Sequence, residues 1–216
     1  QGPAGNNWTP SGISGAFGTT LDYLGDAPTL TSATVANYAV LNPALPVGGT
    51  FADGNLKYTG PGGWRTVATT IAMNGSYYAE ATMLANAQNH NIGDTYTAFG
   101  VAPISGSTTA SPGAANTLTV VDVGYVYNQS SQVADLGSRF VTGDVIGIAF
   151  NSSTGAFTVY KNGSSVSTGT FTATGPFSFM YMSYSSAYGQ MAVNFGQQPF
   201  VYTPPSGFVA LNTYNL

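Results

Sequence analysis

The apolar residues of this chain are grouped in short stretches rich in β-branched and aromatic side chains, a composition typical of strands. No window repeats apolar residues at i, i+3, i+4 and i+7, and the helix formers Glu, Lys and Arg are scarce. The pattern therefore predicts an all-β chain. The predicted strands are Thr66–Ile71, Tyr77–Leu84, Tyr96–Ala102, Thr117–Tyr127, Asp144–Phe150, Ala156–Lys161, Phe177–Tyr184 and Met191–Phe195.

Residue pairs that accept positive φ separate these stretches and predict tight turns. The clearest hairpin arm is Ala156–Lys161, where Phe157 and Val159 share one face before the Asn162-Gly163 turn. Residues 145–150 are apolar on both faces, as expected for a central strand between covered sheets. Many short strands with regular turns predict a β-sandwich of two antiparallel sheets. The predicted turn pairs are Asp53-Gly54, Asn74-Gly75, Thr154-Gly155 and Asn162-Gly163.

The beginning of the chain differs in composition from the rest, so we divide it into a linker or arm, residues 1–36, and a sandwich, residues 37–216. Gln1–Ser14 is rich in Gly, Pro, Asn and Ser, and its Gly-first triplets suit a flexible linker or the end of a collagen-like stalk. Residues 15–36 are expected to form an extra strand or an oligomer-contacting arm. Because the first residue is Gln1, we expect a processed product or part of a longer chain. Ala102–Asn116 is predicted as the longest loop.

Charge is scarce, with 4 basic and 8 acidic residues among 216. So few cations cannot neutralise a phosphate backbone or form a polybasic membrane patch, so we expect no nucleic-acid partner and no membrane insertion. A hydrophobic content of 43%, with 14 Tyr and 12 Phe, argues against disorder. The absence of cysteine excludes disulfides and thiolate metal sites. The surface is therefore expected to be rich in Ser, Thr, Asn, Gln and Gly, as in secreted and particle-surface β proteins.

Catalysis has little support in the sequence. Glycosidases need two facing carboxyl groups, but Glu80 is the only Glu and has no acidic neighbour at i±2. We expect Glu80 to be structural, held by Arg65 or by a backbone amide. The only histidine, His90, lies in the polar stretch Asn86–Asn91 without a nucleophile motif nearby, so a catalytic triad is not expected.

Metal binding has equally weak support. Three aspartates could converge on Ca²⁺ in space, because calcium accepts carboxylate and carbonyl oxygens. The spacing of an EF-hand loop is missing, and Asp144 after Gly143 is typical of a turn that leads into a strand. We therefore predict no metal and no cofactor. The three candidates are Asp122, Asp135 and Asp144.

Tyrosines next to Ser, Asn and Gln are the better candidates for binding. Such clusters offer a large contact area with adaptable hydrogen bonding, and they suit the stacking of sugars. We expect Tyr125 and Tyr181 instead to fill the sandwich core with their hydroxyls at the rim. The predicted ligand-binding residues are Tyr127, Asn128, Gln129, Tyr184 and Tyr188.

From about Tyr38 onward, the order of several motifs is informative. The most specific stretch is Gly143–Phe150 followed by Phe157–Gly163, and the chain closes with Val193–Phe200 and Thr203–Phe208. Together with Gly75–Glu80 and Phe99–Ala102, these motifs resemble the SPRY domain family, especially the versions at the ends of bacteriophage and other viral fibre proteins.

This resemblance implies a concanavalin-like sandwich of two curved antiparallel sheets, with loops at one rim forming a binding surface. It also implies protein partners and no catalytic residues, but it does not transfer a particular partner. The polar, nearly uncharged surface favours the viral or extracellular branch of the family, located on a virion surface.

Three functions follow in order of preference. The first is a virion fibre or receptor-binding tip, trimeric if the stalk is real, that adheres to a host-surface protein or glycan. The second is a structural subunit that decorates a capsid or forms a filament with its own copies. The third, an extracellular glycan-active enzyme, would require hydrolysis that is lost in Glu80→Gln.

Overall fold

A computed structural model describes residue 32 and residues 36–45, 48–85, 96–185 and 190–216. No helix in these residues is long and apolar enough to cross a membrane. The linker, stalk and arm predictions fall almost entirely outside the described residues, as do His90 and Tyr188. In the described part the elements are the strands β1 Thr50–Ala52, β2 Lys57–Thr59, β3 Pro61–Ala68, β4 Ser76–Ala85, β5 Thr97–Pro103, β6 Leu118–Val121, β7 Tyr125–Asn128, β8 Ser131–Asp135, β9 Val145–Asn151, β10 Ala156–Lys161, β11 Ser164–Thr170, β12 Phe177–Ser185 and β13 Gln190–Asn194.

The strands form two antiparallel sheets, which confirms the predicted β-sandwich. The seven-stranded sheet has the order β1-β2-β13-β4-β9-β10-β11, and the six-stranded sheet has the order β3-β12-β5-β6-β7-β8. Strand β9, predicted as central, lies between β4 and β10, and residues 145–150 are all buried. The hydrophobic core lies between the sheets because alternate side chains of each strand point inward.

Tyr181 and Tyr125 have different places in this alternation. Tyr181 is fully buried in the core, as predicted, but its hydroxyl is not at the rim: it accepts a hydrogen bond of 3.3 Å from the buried Met191 N–H. The prediction that Tyr125 fills the core is wrong. Val126 faces the core, so Tyr125 and Tyr127 both lie on the outer face, with ring centroids 6.3 Å apart.

Two predicted turns have the positive φ angles that their residue types favour. Asn162 and Gly163 have φ of 51° and 79° and join β10 to β11 in a two-residue hairpin. Asp53 and Gly54 have φ of 52° and 65° between β1 and β2.

The prediction of one strand over Thr117–Tyr127 is wrong. Residues 122–124 instead form a turn between β6 and β7. Gly124 has a φ of 92°, and a side chain there would run into the Ser138 carbonyl, so the extended backbone cannot continue. Strands that the pattern did not predict, such as β8 and β11, are polar edge strands without an apolar alternation.

Candidate functional site

The outer face of the seven-stranded sheet is closed by the C-terminal segment, residues 196–210. Glu80 of β4 is 1% exposed and anchors this segment with both carboxylate oxygens. Its Oε2 accepts a hydrogen bond from the Val201 N–H at 2.8 Å, and its Oε1 accepts one from the Tyr202 N–H at 2.9 Å. The Tyr78 hydroxyl donates to Oε1 at 3.0 Å. Of the two predicted partners of a structural Glu80, Arg65 or a backbone amide, the structure shows backbone amides.

Aromatic packing completes the closure of this face. Tyr78 contacts Phe200 and Tyr160 edge-on, with ring centroids 5.1 Å and 6.2 Å away. Gly147 on the neighbouring strand β9 makes room for the ring, because a methyl group there would run into the Tyr78 hydroxyl. Burial, together with the nearby Glu80 carboxylate, raises the pKa of Tyr78. This face is occupied by the chain itself.

The outer face of the six-stranded sheet carries a second apolar cluster. The loop between β5 and β6, residues 104–117, covers one part of it and corresponds to the long loop predicted from the sequence. Thr66 fastens this loop to β3: its N–H donates to the Thr108 carbonyl at 2.8 Å and its hydroxyl to the Ala110 carbonyl at 3.0 Å. The cluster consists of Ala98, Ala102, Val121, Val123, Met180 and Met182, with Trp64, Ala110, Tyr125 and Tyr127 packed against it.

Three aromatic residues, here called the aromatic rim, lie together at one end of this face: Trp64, Tyr96 and Tyr184. The ring of Tyr184 is 5.7 Å from that of Trp64 and 5.9 Å from that of Tyr96, and both contacts are edge-on. Tyr184 is 40% exposed, so part of its ring contacts solvent. Rigid, amphipathic rings of this kind can stack on a sugar or pack against apolar side chains of a partner.

The structure separates the predicted binding residues along the six-stranded sheet. Thr97 at the start of β5 lies in register with Ser183, next to Tyr184. Val101, towards the other end of β5, pairs with Leu118 of β6, and Leu118 in turn pairs with Asn128 of β7. Four residues of extended strand span about 13 Å. Tyr184 and Tyr127–Gln129 therefore do not form one compact site.

The predicted residues Asn128 and Gln129 use their side-chain amides within the chain. The Asn128 Nδ2 donates to the Thr170 carbonyl at 2.9 Å, and the Gln129 Nε2 donates to the Thr172 hydroxyl at 2.7 Å. These bonds connect the β7–β8 turn to the end of β11, in the other sheet, and to the segment that follows it. Tyr127 lies against Gly113 of the β5–β6 loop, where an added Cβ would be 3.2 Å from the ring.

A buried carboxyl group lies directly behind the aromatic rim. Asp122 is 2% exposed, and its Oδ2 accepts a hydrogen bond from the Tyr96 N–H at 3.1 Å. Its Oδ1 is buried and accepts no hydrogen bond from the part of the chain that is described. Burial raises the pKa of Asp122 to about 7, although the Tyr96 N–H and the Arg139 charge act in the opposite direction.

The three aspartates considered for calcium have separate roles. Asp135 accepts a hydrogen bond from the Gly137 N–H at 2.9 Å, and Asp144 accepts one from the Asn162 Nδ2 at 2.8 Å. Within the described ranges, no three His, Asp or Glu side chains come together in a group that could hold a metal ion. Asp135 and Asp144 instead stabilise turns, and Asp122 binds the Tyr96 N–H.

Trp64 and Tyr96 were not predicted as site residues. Trp64 shares the outer face of β3 with Thr66, and Tyr96 immediately precedes β5. The alternation within each strand indicates these faces, but only the pairing of β3, β12 and β5 places the rings together.

Comparison with known proteins gives a clear result for the fold alone. No family model matches the sequence, and no curated protein matches it. The SPRY domain of human HERC1 superposes with a TM-score of 0.56 at 18% identity, covering 70% of this chain and 94% of that domain. The fold is that of SPRY domains.

Other SPRY structures agree at similarly low identity. A human SPRY domain has a TM-score of 0.51 at 15% identity, covering 69% of this chain and 96% of its own. The PSpry domain of TRIM65 has a TM-score of 0.51 at 12% identity, with 73% and 93% covered. The predicted SPRY-like sandwich is therefore confirmed as a fold, whereas the resemblance to viral fibre versions stays a prediction.

Proposed function

We propose that this chain is a non-enzymatic recognition module that adheres to a host-surface protein or glycan through the aromatic rim. The observation that carries the proposal is the edge-on contact of Trp64 and Tyr96 with the partly exposed ring of Tyr184. Tyrosine and tryptophan dominate the binding energy of many interfaces, because they bury a large area at low entropic cost.

The low charge of the chain favours an uncharged contact. With 4 basic residues in 216, the protein has little capacity to attract an anionic partner. Stacking and hydrogen bonding therefore supply the affinity in this proposal. The SPRY fold supports it as well, since the resemblance to that family implies protein partners rather than substrates.

The environment of Glu80 argues against glycoside hydrolysis. Both of its oxygens accept hydrogen bonds from the C-terminal segment or from Tyr78, so the carboxylate is committed to holding that segment. Glycosidases require a second carboxyl group facing the first across a cleft, whereas Glu80 is the only Glu of the sequence and has no acidic neighbour at i±2.

We further propose that the module is the outward-facing end of a virion tail or head fibre, present as a homotrimer on the virion surface. The nearly uncharged sequence and the Gly-first triplets near Gln1 support this assignment. Light scattering with negative-stain imaging of the native protein is expected to reveal a trimer on a thin stalk. A ring, lattice or open filament would instead identify a structural subunit whose main partner is itself.

Adhesion can be tested with fluorescent protein on a glycan array and on intact bacterial and animal cells. We expect binding to at least one of these surfaces, and a loss of about 30-fold in Tyr184→Ala, as for a residue at the centre of an interface. The matched control is Tyr214→Ala, because Tyr214 is 50% exposed but is not part of the aromatic rim. Absence of binding, or equal binding by both variants, would overturn the proposal.

A further inference from the structure

A cavity of about 520 Å³ lies under the β5–β6 loop, on the same sheet as the aromatic rim but towards the other end of β5. Its floor is the outer face of three neighbouring strands, with Ala68 on β3, Met180 on β12 and Ala102 on β5. Its volume is in the range of ordinary ligand sites, roughly 300–1,000 Å³.

Small residues leave this space open. Met180 pairs with Ala68 on one side and with Gly100 on the other, so the only long side chain of the floor stands between short neighbours. The loop above contributes mostly Ser, Thr, Ala and Gly, which do not reach down to fill the gap.

Hydrogen bonds hold the cavity in shape. Thr66 and Thr117 are 6% and 4% exposed, and their hydroxyls bind loop carbonyls: Thr66 bonds to Ala110 at 3.0 Å and Thr117 to Ala114 at 2.8 Å. The N–H of Gly113 also donates to the Thr119 hydroxyl at 3.3 Å. Thr66 and Thr119 therefore fix the loop to the sheet that it covers, the Thr117–Ala114 bond stabilises the loop internally, and a ligand need not order the loop first.

The lining selects the chemistry of a ligand. Among the residues that the structure describes, the lining contains no charged and no aromatic side chain, so an ion would lose its hydration without gaining a partner, and a sugar ring would find no aromatic surface to stack on. Aliphatic groups of Leu45, Ile104 and Met180 lie next to the polar side chains of Ser105 and Asn116. These groups suit a ligand with an apolar body and an uncharged hydrogen-bonding edge.

We propose that this cavity is a second binding site, for an uncharged aliphatic group that carries a neutral amide. The aliphatic group lies against the floor of Ala68, Ala102 and Met180, and the amide bonds to the hydroxyl-rich wall. Such a group can come from a small neutral molecule or from a peptide segment. The site is separate from the aromatic rim and does not depend on the proposed adhesion.

The methyl group of Met180 provides a direct reporter, since the chain contains 5 methionines and selective ¹³C-methyl labelling resolves a small number of signals. The probes are N-acetyl-leucine N′-methylamide, its lysine counterpart, and a capped Gly-Leu-Gly peptide. We expect the leucine amide to shift the Met180 signal with a Kd on the order of 1 mM, a weak affinity suited to so small a ligand. The charged lysine amide is expected to leave the signal unchanged.

Variants that fill the cavity provide the second arm. Ala68→Leu and Ala102→Leu, on different strands, are expected to abolish the shift, whereas Ala156→Leu on the exposed start of β10 is expected to retain it. If the capped Gly-Leu-Gly binds more tightly than the leucine amide, the natural ligand is a peptide segment. If it binds equally or more weakly, the natural ligand is a small neutral molecule. A Met180 signal that no probe shifts, or a shift that persists in both filled variants, would overturn the proposal.

Ligand binding in the cavity can be tested independently of adhesion through the aromatic rim. Tyr184→Ala is expected to bind the leucine amide like the unaltered protein, and Ala102→Leu is expected to retain adhesion on arrays and cells. Failure at one site therefore leaves the conclusion about the other site intact.

Discussion

The C-terminal segment and the β5–β6 loop each cover the outer face of one sheet, but with different chemistry. Over the seven-stranded sheet, a buried carboxylate accepts hydrogen bonds from the covering backbone, and Tyr78 fills the space above Gly147. Over the six-stranded sheet, hydroxyl groups fix the loop, a cavity of about 520 Å³ stays open, and Tyr184 is 40% exposed.

The covered outer face of the seven-stranded sheet is thus suited to stability, whereas the outer face of the six-stranded sheet retains apolar area that a partner could contact. Removing a buried carboxyl group that binds three donors leaves those donors without an acceptor, so the C-terminal segment is expected to stay in place. Unfilled space and exposed aromatic edges contribute little to folding, since they leave apolar surface in contact with water. Both features lie on the outer face of the six-stranded sheet, which is where we propose that recognition takes place.

The largest effect is expected from removing the anchor of the closed face. Glu80→Ala leaves the Val201 N–H, the Tyr202 N–H and the Tyr78 hydroxyl without their acceptor. We expect the free energy of unfolding to fall by about 4 kcal/mol in urea denaturation. Glu80→Gln, which preserves the volume and one acceptor oxygen, is expected to lose about half as much. A loss below about 1 kcal/mol in Glu80→Ala would contradict the anchoring role.

The next effect concerns the buried carboxyl behind the aromatic rim. The pKa of Asp122 is raised from its ordinary value of 3.8 to about 7, so the folded chain binds more protons than the unfolded chain between these values. The contribution of Asp122 to stability is therefore highest below about pH 4 and declines by up to about 4 kcal/mol as the pH rises to 7. Above about pH 7 this contribution no longer changes.

Urea denaturation of Asp122→Asn across the same pH range isolates this contribution. The asparagine does not titrate, so the difference in stability between the two proteins is expected to change steadily between pH 4 and pH 7. A difference that stays constant over this window would show that Asp122 titrates at its ordinary pKa in the fold.

A smaller effect on stability is expected when a side chain is enlarged on either of the two faces. Gly147→Ala forces the Tyr78 ring away from its place under the C-terminal segment, and we expect it to cost about 2 kcal/mol. Ala102→Leu extends into open space instead, and it is expected to change stability by less than about 1 kcal/mol. Thermal unfolding of both variants checks the contrast, and equal losses would mean that the two faces are packed alike.

The alternation of apolar residues predicted most of the fold because it reports on buried faces. Strand β10 has the predicted bounds Ala156–Lys161, and the Asn162-Gly163 turn has positive φ at both residues. Polar edge strands such as Ser164–Thr170 bury no face and therefore leave no such pattern. The turn at Gly124 was missed because valines on both sides of Asp122 continue the strand-like composition.

The candidate site was predictable only in part. Tyr184 was identified from its tyrosine- and serine-rich surroundings, and the structure places it in the aromatic rim. Trp64 and Tyr96 join it through strand pairings between distant parts of the chain, which local composition does not encode. Asn128 and Gln129 have a composition typical of binding loops, but their amides bind Thr170 and Thr172 instead.

Hydroxyl-radical footprinting, read by mass spectrometry, tests most directly whether the six-stranded sheet is the recognition face. The protein is labelled alone and while bound to the glycan or cell that retains it. We predict that binding protects Trp64 and Tyr184 from oxidation and leaves Tyr160 and Tyr202, on the closed side, unchanged. Protection of Tyr160 and Tyr202 with an unchanged aromatic rim would contradict the account.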